Sequence, residues 1–336
     1  MRGGGSNMQT QNSVSDDLPS LPARFGGVGL LSFVKVAPIA FAASLDWSAE
    51  VLSSFIPAIS PPAANYLSQR ERCDVVFNQQ QLHILAQLSP LDRGLLLESA
   101  SPIGRRWLSL IPSSPAFVLN DFEVSSALTY RSLFKPQANQ FCPGCHKPYF
   151  LGHFDVCQSQ RTVFTIRHNR IQWALVSSLR RIPGADVTPE PPIAGTSLRN
   201  DIRLRGSATC GLSNADIDVT IHALSAAGSQ GLDRAVPSDS TTTPSATLRA
   251  ETEASLIQVL DMRAKIKRNK IAKLPTYSDA AIFHPFVLSA GGFAPPQTQA
   301  LLDSWRKPMN PYAFQHLLSK ISLAIVQARA QTMRAL

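Results

Sequence analysis

The chain has 336 residues and is 44% hydrophobic, which leaves room for two ordinary domains with real cores. Charged residues are sparse at 16%, yet the balance is +9. That excess is compatible with a nucleic-acid partner and says nothing about fold. The N-terminus lacks the apolar core of a signal peptide, and no apolar run reaches the roughly 18 to 20 residues of a membrane helix. The nearest, "VGLLSFVKVAPIAFAAS", is interrupted by Lys35 and Pro38. A secreted or membrane-spanning protein is therefore not expected. The expected compartment is nuclear or cytoplasmic and reducing, which favours metal-bound or free thiols over disulfides.

Residues 1–18 are Gly/Ser/Asn-rich and predict a disordered tail. Residues 19–138 have a helical pattern, with Leu82, Ile84, Leu85 and Leu88 at helical spacing. Pro61, Pro62, Pro102, Pro112 and Pro115 predict division into short helices.

Residues 139–160 hold "CPGCHKPYFLGHFDVC", with three of the five cysteines. The pattern Cys-x2-Cys-x7-His-x3-Cys supplies four ligands of the kinds a structural zinc takes: Cys142, Cys145, His153 and Cys157. Pro143 and Gly144 form a turn-prone pair that lets two thiolates face one ion. His153 and Cys157 are one helical turn apart. Four protein ligands leave no open position for water, so the expected zinc is structural. Two cysteines in a turn and an unrelated third would give the same letters, but complete sets at these spacings seldom arise by accident. His146 competes poorly because it adjoins Cys145. Cys73 and Cys210 have no clustered partners.

Residues 161–310 change character. "RHNRIQWALVSSLRRI" places Ile171, Ala174, Leu175, Leu179 and Ile182 on one helical face, and "PGADVTPEPP" ends the helix. Two strands follow, "DIRLR" and "ADIDVTIHAL". Residues 227–245 are Gly/Ser/Thr/Pro-rich and predict a flexible insertion. A long helix from about Leu248 to Lys273 ends in "RAKIKRNKIAK", "AIFHPFVLS" is a further strand, and two helices close the chain, the last over residues 311–336. This order predicts an α/β fold: a helical N-terminal region, a knuckle, then a small mixed sheet flanked by helices.

Alternation in the two strands leaves Asp201, Arg203 and Arg205 on one polar face and Asp216, Asp218 and Thr220 on another. If the strands pair, Asp201 and Asp218 meet, and two carboxylates in a basic protein suit a magnesium ion for phosphodiester hydrolysis. On alternation alone, solvated strand faces account for the pattern better. The basic run presents Arg263, Lys265, Lys267, Arg268, Lys270 and Lys273 around one helix. Such a run is usually a solvated face, but beside a zinc knuckle and "RHNR" phosphate contact is the better reading.

Taken together, these segments resemble the C-terminal portion of reverse-transcriptase proteins of non-LTR retrotransposons that carry a restriction-like endonuclease. "LPARFGGVGL" (residues 21–30) is similar to the segment that follows the polymerase fingers and palm. "CPGC…GHFDVC" is similar to the family's knuckle, and "RHN" (167–169) to its tripeptide. "NDIRL…DIDVT", "KRNK" and "FHPFV" resemble the endonuclease core. The resemblance implies a PD-(D/E)XK fold. Asp201 matches the first acid, Asp218 the second, and Lys267 and Lys270 the helix lysines, with Lys270 slightly favoured. Glu190 matches a frequent upstream acid. The pattern also departs from the family's. Asn200 stands for the proline before the first acid, Thr220 for the strand lysine, and Ile271 for a tyrosine after Lys270. The only Asp-Asp pair, Asp16-Asp17, lies in the tail, so no polymerase activity is expected, and the chain looks like the post-palm part of a longer element.

The implied function is a magnesium-dependent DNA endonuclease with a structural zinc. DNA, or the element's RNA, would be the partner, contacted by Arg167, Arg170, Lys265, Lys267 and Arg268. An inactive nucleic-acid-binding descendant and a zinc-stabilised protein adaptor are the alternatives. Convergence of Asp201, Asp218 and one helix lysine would separate the first from the rest.

Overall fold

A computed structural model describes residues 17–56, 58–59, 67–134, 141–206, 211–226, 246–274 and 282–334. Among them are eight α-helices and a four-stranded mixed sheet, so the chain is α/β as its pattern implies. The insertion at 227–245, Cys210 and the tail up to residue 16 lie outside the described residues. Leu18, at the end of the expected tail, is instead buried beneath the helical region.

The helical region comprises α1 (Phe33–Ser53), α2 (Gln69–Gln87), α3 (Pro90–Ala100) and α4 (Asp121–Arg131). Pro102, Pro112 and Pro115 lie between α3 and α4 as expected, and Pro61 and Pro62 lie outside the described residues, while α1 runs on through Pro38 for 21 residues. The starts of the others are set by side chains that satisfy free N–H groups. Ser68 and Glu71 form a capping box on α2, Asn120 and Glu123 one on α4, and Ser89 caps α3 ahead of Pro90.

The Gly-Gly of "LPARFGGVGL" has a steric cause. Gly26 has φ 96°, and a Cβ on Gly27 would lie 2.1 Å from the Leu21 carbonyl oxygen and 2.5 Å from that of Leu18. The carbonyls of Ala23 and Gly27 accept from the buried Arg131 guanidinium at 2.7 and 2.6 Å. Desolvation lowers the Arg131 pKa to about 10, so it stays cationic at neutral pH.

The sheet holds β1 (Ala185–Pro189), β2 (Ile202–Gly206), β3 (Ala215–His222) and β4 (Phe283–Ser289), in that spatial order. β1, expected only as the stop after a helix, pairs antiparallel with β2 along the edge, where its proline is tolerated. β2 pairs antiparallel with β3, with Ile202 opposite Ile217. β4 runs parallel to β3 after a crossover through α6 (Ala246–Ala272). It is the other edge, so Pro285 is also tolerated.

Three helices cover one face: α5 (Arg161–Leu179), α7 (Pro296–Arg306) and α8 (Pro311–Arg334). Their core joins Ile171, Leu175 and Leu179 to Ile217, Val219, Phe286, Trp305 and Leu317. Each fully buried aliphatic side chain there contributes about 1.5–3 kcal/mol. α6 covers the other face, where Leu260 and Ala264 pack on Val287. The polar face of β3 therefore looks toward α6.

Candidate functional site

The four knuckle ligands come together. The ligand atoms of Cys142, Cys145, His153 and Cys157 all lie within 4.8 Å of one another, the one such group of three or more among the described residues. The loop returns on itself through Cys142 N–H donating to the Lys147 carbonyl at 2.9 Å. Gly152, at φ 89°, turns the chain into the 3₁₀ turn His153–Asp155 that presents the histidine. His146, exposed and at φ 55°, stands outside the set.

The donor chemistry suits a closed zinc site. Burial and then Lys147 lower the His153 pKa, which keeps the imidazole in its neutral, ligating form. At Cys157, burial opposes the thiolate, but hydrogen bonds, first from the Ser159 side chain and backbone and then from Cys145 and Cys142, together lower the pKa. Three sulfurs and one imidazole nitrogen at this spacing are compatible with tetrahedral zinc.

Between the last two ligands, Asp155 anchors the knuckle. Arg167 donates to it at 2.7 Å, Arg329 at 3.0 Å, and the Tyr130 hydroxyl at 3.0 Å. Arg329 also pairs with the buried Glu98 at 2.7 Å, so α3, α4, α5, α8 and the knuckle share one ionic network. Arg167 is thus not a surface cation for nucleic acid. It is buried and spent on Asp155, because the helix face that carries Ile171 and Ala174 also turns position 167 inward.

The second cluster lies where β2 meets β3. One residue beyond the Ile202–Ile217 pair, the register puts Asp201 beside Asp218. Asp201 departs from the ladder. Its N–H donates to the Ile217 carbonyl, while its carboxylate, rather than its carbonyl, accepts the Val219 N–H at 2.5 Å. Its carbonyl instead accepts from Gln172 at 2.8 Å and from the Glu190 N–H at 2.9 Å. The Asp218 carboxylate faces α6, where Lys267 Nζ lies 2.8 Å away, and it also accepts from the Thr220 hydroxyl at 3.2 Å.

Lys270 is not at this cluster. It is exposed, as are Lys265 and Arg268, and Arg268 donates to Gln297. Lys267 occupies the place instead because it shares the inward stripe of Leu260, Ala264 and Ile271. Arg170 is half-buried and donates to Gln327. Glu190 turns to Arg199 at 3.5 Å, and only its backbone N–H reaches Asp201, at the carbonyl. Asp216 is buried against Arg203 and Arg205, with Asn200 donating to it at 3.3 Å, so Asn200 serves a structural acid.

Sequence reasoning passed over His168. Its Nε2 lies 3.1 Å from Asp201 Oδ2, and its pKa is raised, first by that hydrogen bond and further by the charges of Asp201 and Asp218. The signal was present, since position 168 falls on the stripe of Ile171, Leu175 and Leu179. Asp201, Asp218, His168 and Lys267 remain 19–37% exposed, so a solvent-borne ligand can reach them.

Among the described residues no helix is long and apolar enough to cross a membrane. No protein-family model matches the chain, and no curated protein matches it in sequence.

Proposed function

We propose that this chain is a zinc-stabilised, metal-dependent nuclease domain of non-LTR retrotransposon ancestry. The observation that carries the reading is that Asp218, paired with Lys267 of α6 at 2.8 Å, lies at the same end of the β2–β3 pair as Asp201, one residue beyond the Ile202–Ile217 register. Two carboxylates are hard oxygen donors of the kind magnesium takes, and Lys267, the present partner of Asp218, is a replaceable cation. A bound magnesium ion would polarise the scissile phosphate and activate water.

The chain's own groups have defined tasks. The Val219 N–H and His168 hold the Asp201 carboxylate in place from two sides. Lys267, released from Asp218, stabilises the charge that grows on the phosphate. The exposed Lys265, Arg268 and Lys270 give the same helix a cationic outer face for backbone contact. The zinc set holds the knuckle, and Asp155 ties the knuckle to α5, whose next residue after Arg167 is His168.

A purified chain that nicks supercoiled plasmid with magnesium, and loses this with Asp218→Ala, supports the reading. Equal nicking by both proteins refutes the assignment of Asp218. A second reading, a binder that no longer cuts, draws on the occupied state of both acids and on Thr220 in place of the strand lysine. No nicking by either protein selects it.

A further inference from the structure

α5 has another polar–aromatic face, turned away from His168. Trp173 stands on it with 54% of its surface exposed, and Ile166 with 40%. Positions 166, 170, 173 and 177 recur at helical spacing and form one wall of an open groove of about 570 Å³. α8 supplies the other wall through Lys320, Leu323 and Gln327.

The charge in this groove has one sign. None of the side chains that line it is acidic. Arg170 donates to Gln327 Oε1 at 3.2 Å and Lys320 to Ser177 Oγ at 3.1 Å, both neutral. Lys267, Arg203, Arg205 and Arg329 by contrast all meet carboxylates. Burial and then repulsion from Arg181 lower the Lys320 pKa, as expected of an ammonium with no anion beside it among the described residues. An indole flanked by two such cations matches a ligand that has a flat apolar face and anionic links.

We propose that this groove binds an unpaired stretch of nucleic acid, with one base stacked on Trp173 and adjacent phosphates held by Arg170 and Lys320. The inference rests on the nucleic-acid reading above and extends it to the form of the substrate: a strand with single-stranded character. A duplex hides its base faces and cannot use the indole. An amphipathic helical peptide needs a longer trough with anchors at i, i+3 or i+4, and i+7, whereas about 570 Å³ is the size of a small-ligand pocket. Every base has a π-face, so the contact is tolerant of sequence.

The test uses the full chain titrated with oligo-dT and oligo-rU of about twelve nucleotides, a blunt duplex of equal length, and poly-glutamate. Tryptophan fluorescence and the anisotropy of a labelled strand are followed. Single strands are expected to quench wild-type fluorescence, and Trp173→Ala to remove that quenching. The same variant should weaken strand binding roughly 5- to 150-fold, the range seen for one base–aromatic stack. Arg170→Gln with Lys320→Gln should flatten the logarithmic salt slope by about 1.4. Relative strength with dT and rU assigns the strand to DNA or RNA. Trp173 is half-exposed, so an unchanged melting temperature is expected and verifies folding.

Wild-type affinity in Trp173→Ala overturns the proposal. So does equal quenching by the duplex, or quenching by poly-glutamate but not by the oligonucleotides. The groove and the nuclease reading fail separately. A chain that never nicks but whose Trp173 is quenched loses only the nuclease, and a chain that nicks without using Trp173 loses only the groove.

Discussion

Lys267 on α6 and Asp218 on β3 form an ion pair of 2.8 Å across the polar face of the sheet, while Lys270, three residues on, points to solvent. If the pair belongs to a phosphodiesterase centre, the two lysines must behave differently. Lys267→Ala is expected to lower the nicking rate roughly 100- to 1,000-fold, since one stabilising donor at a developing charge is worth about 2.7–4 kcal/mol. Lys270→Ala should leave the rate within about twofold at low salt. Single-turnover nicking at saturating magnesium measures both. A larger loss with Lys270→Ala would reverse the assignment.

The knuckle should carry one zinc per chain by elemental analysis. Binding energy of a structural zinc is folding energy, so Cys145→Ser or chelation should loosen residues 141–160. Hydrogen exchange would detect this, and protection should also fall at the start of α5, because Asp155 joins the knuckle to Arg167. Purified chain without stoichiometric zinc would contradict the assignment.

The buried Arg329 network predicts a large stability effect. Arg329→Met removes a cation from two buried carboxylates, Glu98 and Asp155, and is expected to cost about 3–5 kcal/mol in urea denaturation. It also fixes a pH dependence. Burial alone would raise the Asp155 pKa, but Arg329 and Arg167 outweigh it and lower the value below 3.8. The stability gained is therefore complete above the ordinary aspartate value and is lost as pH falls through the lowered folded value. Asp155→Asn should flatten the acid limb of the stability curve below about pH 4.

Salt dependence locates the phosphate-binding side chains. Replacing Lys265 and Arg268 by Ala should weaken duplex binding and flatten the logarithmic salt slope by roughly 0.9 for each phosphate that is no longer neutralised. Arg167→Ala should instead unfold or destabilise the chain, because its guanidinium is buried on Asp155. Binding indifferent to salt would remove nucleic acid as the partner.

Gly27→Ala tests the packing of the N-terminal segment. Its Cβ would meet two backbone carbonyls, which cannot swing aside as a side chain can. A loss of about 1–3 kcal/mol is expected, in the range for overpacking. Thermal melting is the measurement. Gly29, at φ 89° but with open space around its Cβ position, should lose less.

What the sequence by itself determined is local. The cluster that could hold a metal such as zinc was legible because Cys142, Cys145, His153 and Cys157 lie on one short loop, where spacing alone limits how they can meet. β2, β3, β4 and α6 were legible because their periods of 2 and 3.6 record which face is dry. Phase within those periods also held more than was drawn from it. Lys267 lies on the stripe of Leu260 and Ala264, and His168 on that of Leu175 and Leu179, so both were marked as inward-facing. The tertiary structure alone decided what those inward positions meet. Position 167 sits beside 168 on the same helix, yet Arg167 is neutralised by Asp155 in the interior while His168 reaches Asp201 at an open edge. β1 was hidden because "ADVTP" is too short and too polar to signal a strand; its partner β2 and the cover of α5 make it one. Periodicity names a face, but the identity of the group across from it depends on contacts between segments far apart in the chain.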